Sequence, residues 1–244
     1  AGMWTRGKYG NALEFDGIDA YVEVPDSVSL NASVQNVQNF TNLTLMAWIY
    51  VKANNTHASN EYIIAKGVNN APGGGYQMQF DHNLNRTMFI IFTNESGTIT
   101  AVAATNSVPW NRWHHIAATY NGTNATVYIN GIFADSAAGT GTINTTANPL
   151  RVGMRSDNAN VPFNGTIDEV RVYSRTLSID EVRTQYLGGL QSHGSVVADK
   201  FRIVNTTNST NFYVSPSGSV GIGTTAPGAK LDVSGGGIWT SGHS

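Results

Sequence analysis

Hydrophobic and polar residues alternate along much of residues 1–190. A period of two places every second side chain on one face of a strand, so alternation indicates β-strands with a buried face. The alternating segments are rich in β-branched and aromatic residues and end at Gly, Asn, Pro or Ser. The pattern predicts ten short strands, over residues 21–24, 43–51, 62–65, 76–80, 88–92, 99–103, 115–120, 126–129, 150–154 and 167–173.

Turn and helix signals indicate how these strands are connected. Asn130-Gly131 lies between two apolar segments, which is the strongest short signal for a β-hairpin. One helix is predicted after Ser178, because Ser178 and Glu181 have the spacing of a capping box. Short strands at intervals of ~8–12 residues with almost no helix are typical of a β-sandwich or jelly roll.

The composition of the chain changes after residue 190. Residues 191–195 are predicted to form a linker, and the remainder contains three short strand-like segments, 200–204, 212–214 and 230–233. About fifty residues with so few apolar side chains cannot bury a core alone. We therefore predict a β-sandwich over residues 1–190 and, over residues 196–244, a β-strand tail for subunit assembly that needs a partner surface.

Charge and cysteine content exclude several classes of function. The 244 residues include 12% charged side chains, carry a net charge of −2 and contain no cysteine. The low charge argues against a nucleic-acid-binding protein, and the missing cysteines exclude disulfides and Cys-based metal sites. Apolar runs are too short for a predicted membrane span. The chain starts at Ala1 without a leader-like stretch, so we expect any signal peptide to have been removed.

Five motifs follow one another in a recognisable order. They are GNALEFDG with DAYV (10–22), LMAWI (45–49), WHHIAATYNG (113–122), VYING (127–131) and FNGTIDEVRVY (163–173). In this order they resemble laminin-G-like domains of the concanavalin-A-like lectin/glucanase superfamily. The resemblance implies an all-β antiparallel jelly-roll sandwich with one short helix. Members usually carry another strand segment before the first motif, and only nine residues precede Gly10 here, so we expect an unfilled edge in one sheet.

The tail is similar to a different group of proteins. The segments FYVSPSG (212–218), VGIGTTAP (220–227) and KLDV (230–233) resemble the glycine-punctuated β repeats of phage tail fibres and surface adhesins. In those proteins such repeats form stalks between functional domains. The resemblance implies that this protein is built into an assembly.

Three aspartates are the candidate metal ligands. The superfamily resemblance implies a structural calcium ion where Asp16 and Asp19 flank the Gly17 turn and Asp168 lies on a neighbouring strand. Carboxylate and carbonyl oxygens are the ligands that calcium takes. The alternative is that Asp16 and Asp168 cap turns or accept hydrogen bonds from backbone amides.

Carboxylates near the same turn also raise the question of catalysis. A retaining glucanase needs two carboxyl groups ~5–5.5 Å apart, and Glu14 and Asp16 share one face of a strand. However, Gly17 interrupts that strand, and Asp19 is one methylene shorter than the Glu that the catalytic pattern requires. We therefore predict a protein that is not an enzyme.

Aromatic residues supply the candidate ligand-binding positions. Trp110 follows Pro109 in a predicted turn, where it is either a sugar-stacking platform or part of the core. Tyr76 follows a glycine-rich loop, 73–75, that is predicted to border a ligand site. His114 and His115 are neighbours in a strand and point to opposite faces, which argues against a shared metal ion.

Asn-x-Ser/Thr sequons are more frequent than the composition predicts. About five are expected by chance from the 26 Asn, 25 Thr and 19 Ser residues, and the chain contains twelve. We predict glycosylation there, and therefore an extracellular or cell-surface protein. The predicted positions are Asn31, Asn39, Asn42, Asn54, Asn85, Asn94, Asn121, Asn124, Asn144, Asn164, Asn205 and Asn208.

Three hypotheses about function follow. The first is a non-catalytic glycoprotein subunit of a self-assembling surface filament or adhesive structure, in which the tail of one copy completes the open sheet of the next by strand donation. The second is a calcium-dependent carbohydrate-binding module or a phage fibre. The third and weakest is a glycoside hydrolase. The predicted partners are copies of the chain itself and surface carbohydrate.

Overall fold

The computed structural model describes most of the first 192 residues and short parts of the remainder. The described residues are 3–27, 30, 41–53, 60–68, 74–144, 146–156, 161–192, 201–204, 210–214, 220–222, 226 and 231–233. The chain divides into two compact units, Ala1–Leu190 and Gln191–Ser244. No helix among the described residues is both long and apolar enough to cross a membrane.

The described part of the first unit contains thirteen strands. They are β1 (Met3–Arg6), β2 (Asn11–Asp16), β3 (Val22–Val24), β4 (Leu43–Val51), β5 (Asn60–Gly67), β6 (Gly74–Asp81), β7 (Arg86–Thr93), β8 (Gly97–Val102), β9 (Trp113–Tyr120), β10 (Asn124–Ile129), β11 (Ile132–Ala138), β12 (Leu150–Val152) and β13 (Asn164–Tyr173). They form two antiparallel sheets, with the orders β1-β2-β13-β4-β9-β10-β11 and β3-β12-β5-β6-β7-β8. The predicted jelly-roll sandwich is confirmed.

The main core lies between the two sheets. Alternate residues of β4, among them Leu45 and Ile49, are buried there with Met78 and Phe89 of the six-stranded sheet. Because neighbouring residues of a strand point to opposite faces, Met46 lies on the outer face of the seven-stranded sheet.

Helix α1 (Ile179–Ser192) covers that outer face. Ser178 N–H donates to Glu181 Oε2 at 2.9 Å and Glu181 N–H donates to Ser178 Oγ at 3.2 Å, so the predicted capping box forms. Val182 is buried against Met46. The helix has 14 residues and its last two occupy the start of the predicted linker.

The predicted Asn130-Gly131 hairpin joins β10 to β11. Ile129 pairs with Ile132, and both turn residues have positive φ, 52° and 74°. This backbone geometry matches the twist of the flanking strands. A methyl group on Gly131 would lie 3.1 Å from a ring carbon of Tyr186, so the turn packs closely against α1.

Residues before Gly10 form a strand that the hydrophobic pattern did not predict. β1 pairs with β2, with Trp4 opposite Leu13 and Arg6 opposite Asn11. The expectation of an unfilled sheet edge beside β2 is therefore wrong, because the chain's own β1 occupies that edge.

The second unit contains a four-stranded sheet. Its strands are β14 (Phe201–Val204), β15 (Thr210–Val214), β16 (Val220–Ile222) and β17 (Leu231–Val233), in that order across the sheet. β16 and β17 are parallel, and the other pairs are antiparallel. Three of the four were predicted. Within the second unit the strands pair with one another, and the role of the tail in subunit assembly stays a prediction.

Candidate ligand-binding site

The candidate site lies where the β6–β7 turn meets the β8–β9 loop. Backbone N–H groups of Asn106 and Val108 in the loop donate to the carbonyl oxygens of Leu84 and Asn85 in the turn, at 2.8 and 2.9 Å. These bonds fix the loop against the turn. Side chains from the two connections therefore share one surface.

An aromatic stack presents Trp110 on this surface. The indole lies against the His82 ring, with centroids 5.1 Å apart and planes inclined by 24°. Trp110 is 37% exposed, whereas His82 is 8% exposed. The histidine therefore supports the indole from the protein side, and part of Trp110 faces solvent. We call this pair the Trp110–His82 stack.

A buried carboxylate holds the histidine and links the two sheets. His82 Nδ1 lies 3.0 Å from Glu61 Oε1, and Glu61 Oε2 accepts the backbone N–H of Asn164 at 3.0 Å. Glu61 belongs to β5 in the six-stranded sheet, whereas Asn164 begins β13 in the seven-stranded sheet. The orientation of the stack is thus set by the packing of the sandwich.

The Trp110–His82 stack is uncharged at neutral pH. Burial lowers the pKa of His82 below its ordinary value, and this effect outweighs the opposing influence of Asp81. Because an ionised carboxylate only accepts hydrogen bonds, we assign the neutral ring the tautomer that carries its hydrogen on Nδ1, facing Glu61. Asp81 is paired with Arg86, with Oδ2 and Nε 3.0 Å apart.

Both the β6–β7 turn and the β8–β9 loop carry asparagine residues close in sequence to His82 and Trp110. Asn83, Asn106 and Asn111 are exposed, and Asn85 Nδ2 donates to Asn106 Oδ1 at 3.2 Å. Leu84 in the same turn is 37% exposed. An aromatic face beside neutral hydrogen-bonding groups suits a neutral, polyhydroxylated ligand.

Tyr76 does not contribute to a ligand surface. It is 2% exposed and forms part of the main core, with its hydroxyl donating to Leu30 O at 3.3 Å. Burial raises its pKa above the ordinary value. Gly74 and Gly75 belong to β6, and a methyl group on Gly74 would lie 2.4 Å from the Phe92 ring. The prediction for Tyr76 is wrong, because close packing places it between the sheets.

Asp16 caps a turn, which is the alternative left open from the sequence. Its Oδ1 accepts backbone N–H groups of Ile18, Asp19 and Ala20 at 2.8, 3.1 and 3.2 Å. Partial burial by itself raises the pKa of Asp16, but these hydrogen bonds outweigh it and lower the pKa below its ordinary value. The carboxylate is therefore ionised and used by the backbone.

Asp168 is also used by the backbone, and it lies away from Asp16. Its Oδ2 accepts the N–H of Tyr9 at 2.9 Å and its Oδ1 accepts that of Glu169 at 2.8 Å. Asp16 is paired with Asn164, which lies four residues before Asp168 on β13. Four strand residues span ~13 Å, so Asp168 lies about that far along the strand from the position opposite Asp16.

The predicted calcium ligand set is therefore wrong. Asp16, Asp19 and Asp168 do not come together, and within the described ranges no group of three or more His, Asp or Glu residues is placed to hold a metal ion. The carboxylates of Asp16 and Asp168 satisfy backbone amides instead. Calcium binding stays a prediction, without a set of ligands in this part of the chain.

Glu14 and Asp16 do not form a catalytic pair. Glu14 forms an ion pair with Lys52, and both side chains are about one-third exposed, at 32% and 35%. A retaining glycosidase needs one protonated carboxyl group beside an ionised one. Here Glu14 is paired with the Lys52 cation, and Asp16 accepts hydrogen bonds from backbone amides.

His114 and His115 point to opposite faces, as expected from their positions in a strand. His114 Nε2 lies 3.2 Å from Pro109 O. The ring of His115 packs against Trp48 and Tyr186 under helix α1, with centroid distances of 5.4 and 5.9 Å. Both histidines are therefore packed or hydrogen-bonded within the fold.

Seven of the twelve predicted glycosylation positions are described. Asn164 is 8% exposed, and its Cβ would lie 2.9 Å from a methyl group on Gly17, so this fold has no room for a glycan there. That prediction is wrong. The other described positions are exposed at Asn42, Asn94 and Asn121 and half-buried at Asn85, Asn124 and Asn144. The positions Asn31, Asn39, Asn54, Asn205 and Asn208 lie outside the described residues.

The sequence pattern identified Trp110 but missed the residues that support it. Glu61 and His82 lie at the ends of strongly apolar strands, where a polar residue is unusual. That position is the one signal that the sequence offers. Nothing in a single sequence pairs these residues with each other or with Trp110.

The comparisons with known proteins agree with this architecture. The family model described as Concanavalin A-like lectin/glucanases superfamily matches residues 16–183. The binding domain of botulinum neurotoxin serotype G is similar at 18% identity and a TM-score of 0.58, over 87% of this chain and 52% of that chain. The binding domain of Paraclostridial Mosquitocidal Protein 1 is similar at 17% identity and a TM-score of 0.57, over 76% and 45% of the two chains. Trypanosoma rangeli sialidase is similar at 18% identity and a TM-score of 0.51, over 75% and 28%.

Similarity at these identities shows the fold alone, and this chain spans about half or less of those proteins. No sequence among the curated proteins matches this chain. The family match covers more than half of the 244 residues. Together with the two antiparallel sheets, it shows that the protein belongs to the concanavalin A-like lectin/glucanase superfamily.

Proposed function

We propose that the first unit is a non-catalytic carbohydrate-binding domain that holds a neutral sugar against Trp110. The observation that carries this proposal is the Trp110–His82 stack, in which an indole is 37% exposed and supported by a buried ring. The C–H groups on one face of a sugar ring form an apolar surface that packs on an indole. The hydroxyl groups at its edge bond to neutral amides such as those of Asn83 and Asn106.

The support beneath Trp110 favours binding because it reduces the cost of ordering the site. His82 is fixed by Glu61, which also accepts a hydrogen bond from the opposite sheet. A side chain that is already oriented loses little rotamer freedom when a ligand docks. We therefore expect Trp110 to have the same orientation in the free and the sugar-bound domain.

Titration of the full chain with neutral oligosaccharides, by calorimetry after a glycan-array screen, tests the proposal. Trp110→Ala should weaken binding about tenfold or more, which corresponds to ~1.4 kcal/mol. Trp4→Ala is the matched control, since Trp4 is 74% exposed on strand β1, on a different part of the fold. Binding that is unchanged by Trp110→Ala, or absent at millimolar sugar, would refute the proposal.

The non-catalytic part of the proposal is tested separately. Glu14 is paired with Lys52, and Asp16 accepts hydrogen bonds from backbone amides, so both carboxylates already have partners within the fold. We expect no release of reducing sugar from the bound oligosaccharides. Hydrolysis that is lost in Glu14→Gln would show that the domain is a glycosidase.

Assembly into a surface filament is a separate proposal. The strand-donation route is weakened, because β1 fills the edge beside β2 and the strands of the second unit pair with one another. The support that remains is the resemblance of the tail to fibre and adhesin repeats. Filaments in negative-stain micrographs that disappear on deletion of residues 196–244 would support assembly, and separate particles of the full chain would contradict it.

Glycosylation and an extracellular location belong to the same proposal. Asn121 is an exposed turn residue whose Oδ1 accepts the backbone N–H groups of Thr123 and Asn124, and its exposure is what a glycosylated position needs. Mass spectrometry of peptides from the native source tests this. Unmodified peptides at Asn42, Asn94 and Asn121 would contradict it.

A further inference from the structure

Strand β1 leaves one edge of the seven-stranded sheet open. Within the described ranges, β1 pairs with β2 on one side and with no strand on the other. Trp4 in this strand is 74% exposed, and Arg6 at its end is also exposed. An unpaired strand edge offers backbone hydrogen-bonding groups to another chain. We call this side of Met3–Arg6, which faces away from β2, the β1 edge.

The hydrogen bonds of the β1–β2 hairpin determine which backbone groups lie at this edge. Gly7 N–H donates to Gly10 O at 3.0 Å, and hydrogen-bonded pairs alternate with non-hydrogen-bonded pairs along an antiparallel ladder. Thr5 therefore directs its backbone N–H and C=O towards β2. The N–H and C=O groups of Trp4 and Arg6 point the other way, to the β1 edge.

The side chains at the β1 edge complement each other. Trp4 and Arg6 are two residues apart in a strand, so both side chains lie on the same face of the sheet. Trp4 is paired with Leu13, which packs against the main core. The indole thus lies on the core-facing side of the sheet and is still exposed. A guanidinium group is attracted to the face of an indole ring.

We propose that two copies of the chain pair antiparallel through their β1 edges, with a two-fold axis at Thr5. In this register Trp4 of each copy lies opposite Arg6 of the other, so the outward backbone groups of both residues form hydrogen bonds. Each indole also meets a guanidinium group, and the two copies of Thr5 lie opposite each other at the axis. The proposal does not depend on sugar binding at Trp110.

Other two-fold registers lack this complementarity. An axis at Arg6 would place two guanidinium groups directly opposite each other, which is destabilising. An axis at Trp4 would separate each indole from the guanidinium group of the other copy. A contact made by one four-residue strand is smaller than the ~1,200–2,000 Å² of a stable interface. We therefore expect a weak dimer in rapid exchange with the monomer.

Cysteine cross-linking of the full chain tests the register, because the chain contains no cysteine. Residues opposite each other in a non-hydrogen-bonded pair have Cα atoms ~4.5 Å apart, which a disulfide can bridge. Thr5→Cys should therefore form a disulfide-linked dimer under mild oxidation. Asn11→Cys is the control, since Asn11 is exposed on β2, one strand away from the β1 edge. It should cross-link about tenfold more slowly or less.

Sedimentation velocity over a range of protein concentrations tests the contact without a cross-link. Arg6→Pro removes an N–H group that β2 does not use, so β1 should still pair with β2 while the dimer is lost. Arg6→Gln keeps the N–H group and removes the cation, and it should weaken the dimer about fivefold or more. Arg183→Gln, which removes an exposed cation from helix α1, should leave the dimer unchanged.

The opposite role of Arg6 gives the opposite result. A charged side chain on a strand edge can prevent pairing with other chains, and in that case Arg6→Gln would strengthen association and overturn the proposal. Equal cross-linking of Thr5→Cys and Asn11→Cys would also overturn it, as would a full chain that stays monomeric at millimolar concentration. Dimers that are unchanged by Arg6→Pro and Arg6→Gln would show that another surface joins the two copies.

Discussion

Lowering the pH from 7 to 5 should destabilise the first unit through His115. This side chain is 3% exposed, and its Nδ1 is buried without a hydrogen-bond partner. Burial, together with the positive charge of Arg171, lowers its pKa from 6.5 to about 4. Because the folded-state pKa lies below the unfolded-state value, the unfolded chain binds the proton more tightly. Stability is therefore complete above pH 6.5 and decreases as the pH falls towards 4.

The size of this effect follows from the pKa difference. One pKa unit corresponds to ~1.4 kcal/mol, so His115 alone should remove about 2 kcal/mol between pH 7 and pH 5 and about 3 kcal/mol by pH 4. Urea unfolding followed by tryptophan fluorescence measures the loss at pH 7 and pH 5. At pH 5 most carboxylates are still ionised, so they contribute little to the loss of stability between pH 7 and pH 5.

His115→Phe isolates the contribution of this residue. Phenylalanine keeps an aromatic ring against Trp48 and Tyr186 and does not titrate. Burial also lowers the pKa values of His82 and His114, but these residues are present in both proteins and cancel in the comparison. The variant should lose about 2 kcal/mol less than the parent between pH 7 and pH 5. Equal losses in the two proteins would refute the reasoning.

Three further predictions concern stability. Ser178→Ala removes the helix cap and should cost about 1 kcal/mol, measured by urea unfolding, and no change would show that α1 does not depend on its cap. Lys66→Met should lower the free energy of unfolding by about 3 kcal/mol, because the buried Nζ donates to Asp26 Oδ1 at 2.6 Å and to two backbone carbonyls. The control is Lys52→Met, which should cost much less because Lys52 is half-exposed. Asp16→Asn should lower the melting temperature equally with calcium and with chelator. A calcium-dependent rise in melting temperature that this variant abolishes would instead place a calcium ion at Asp16.

Strands were predictable where the apolar segment is long. Residues 43–51 are almost continuously apolar over nine positions, and the structure places β4 over that range, Leu43–Val51. β1 has four residues and β16 has three. Over so few positions alternation cannot be distinguished from chance, and the pairing with neighbouring strands decides the conformation.

The candidate site was less predictable, because tertiary packing decides whether a side chain faces solvent. Tyr76 and Trp110 are both aromatic residues near turn signals, yet Tyr76 is 2% exposed and Trp110 is 37% exposed. Similarly, an aspartate beside a glycine has the same local sequence whether it binds calcium or caps a turn. The alternative of backbone capping for Asp16 and Asp168 was present in the sequence, but choosing it required the positions of the amides.

The construction of the Trp110–His82 stack shows how protein groups orient the exposed indole. Calcium in a binding loop supplies charge and fixes loop conformation. In this domain the second task is performed by protein groups, since backbone hydrogen bonds from Asn106 and Val108 hold the loop on the turn. Glu61 then connects His82 to the backbone of the opposite sheet. Because one support fixes the loop on the turn and the other connects the two sheets, the orientation of Trp110 should persist for as long as the sandwich stays folded.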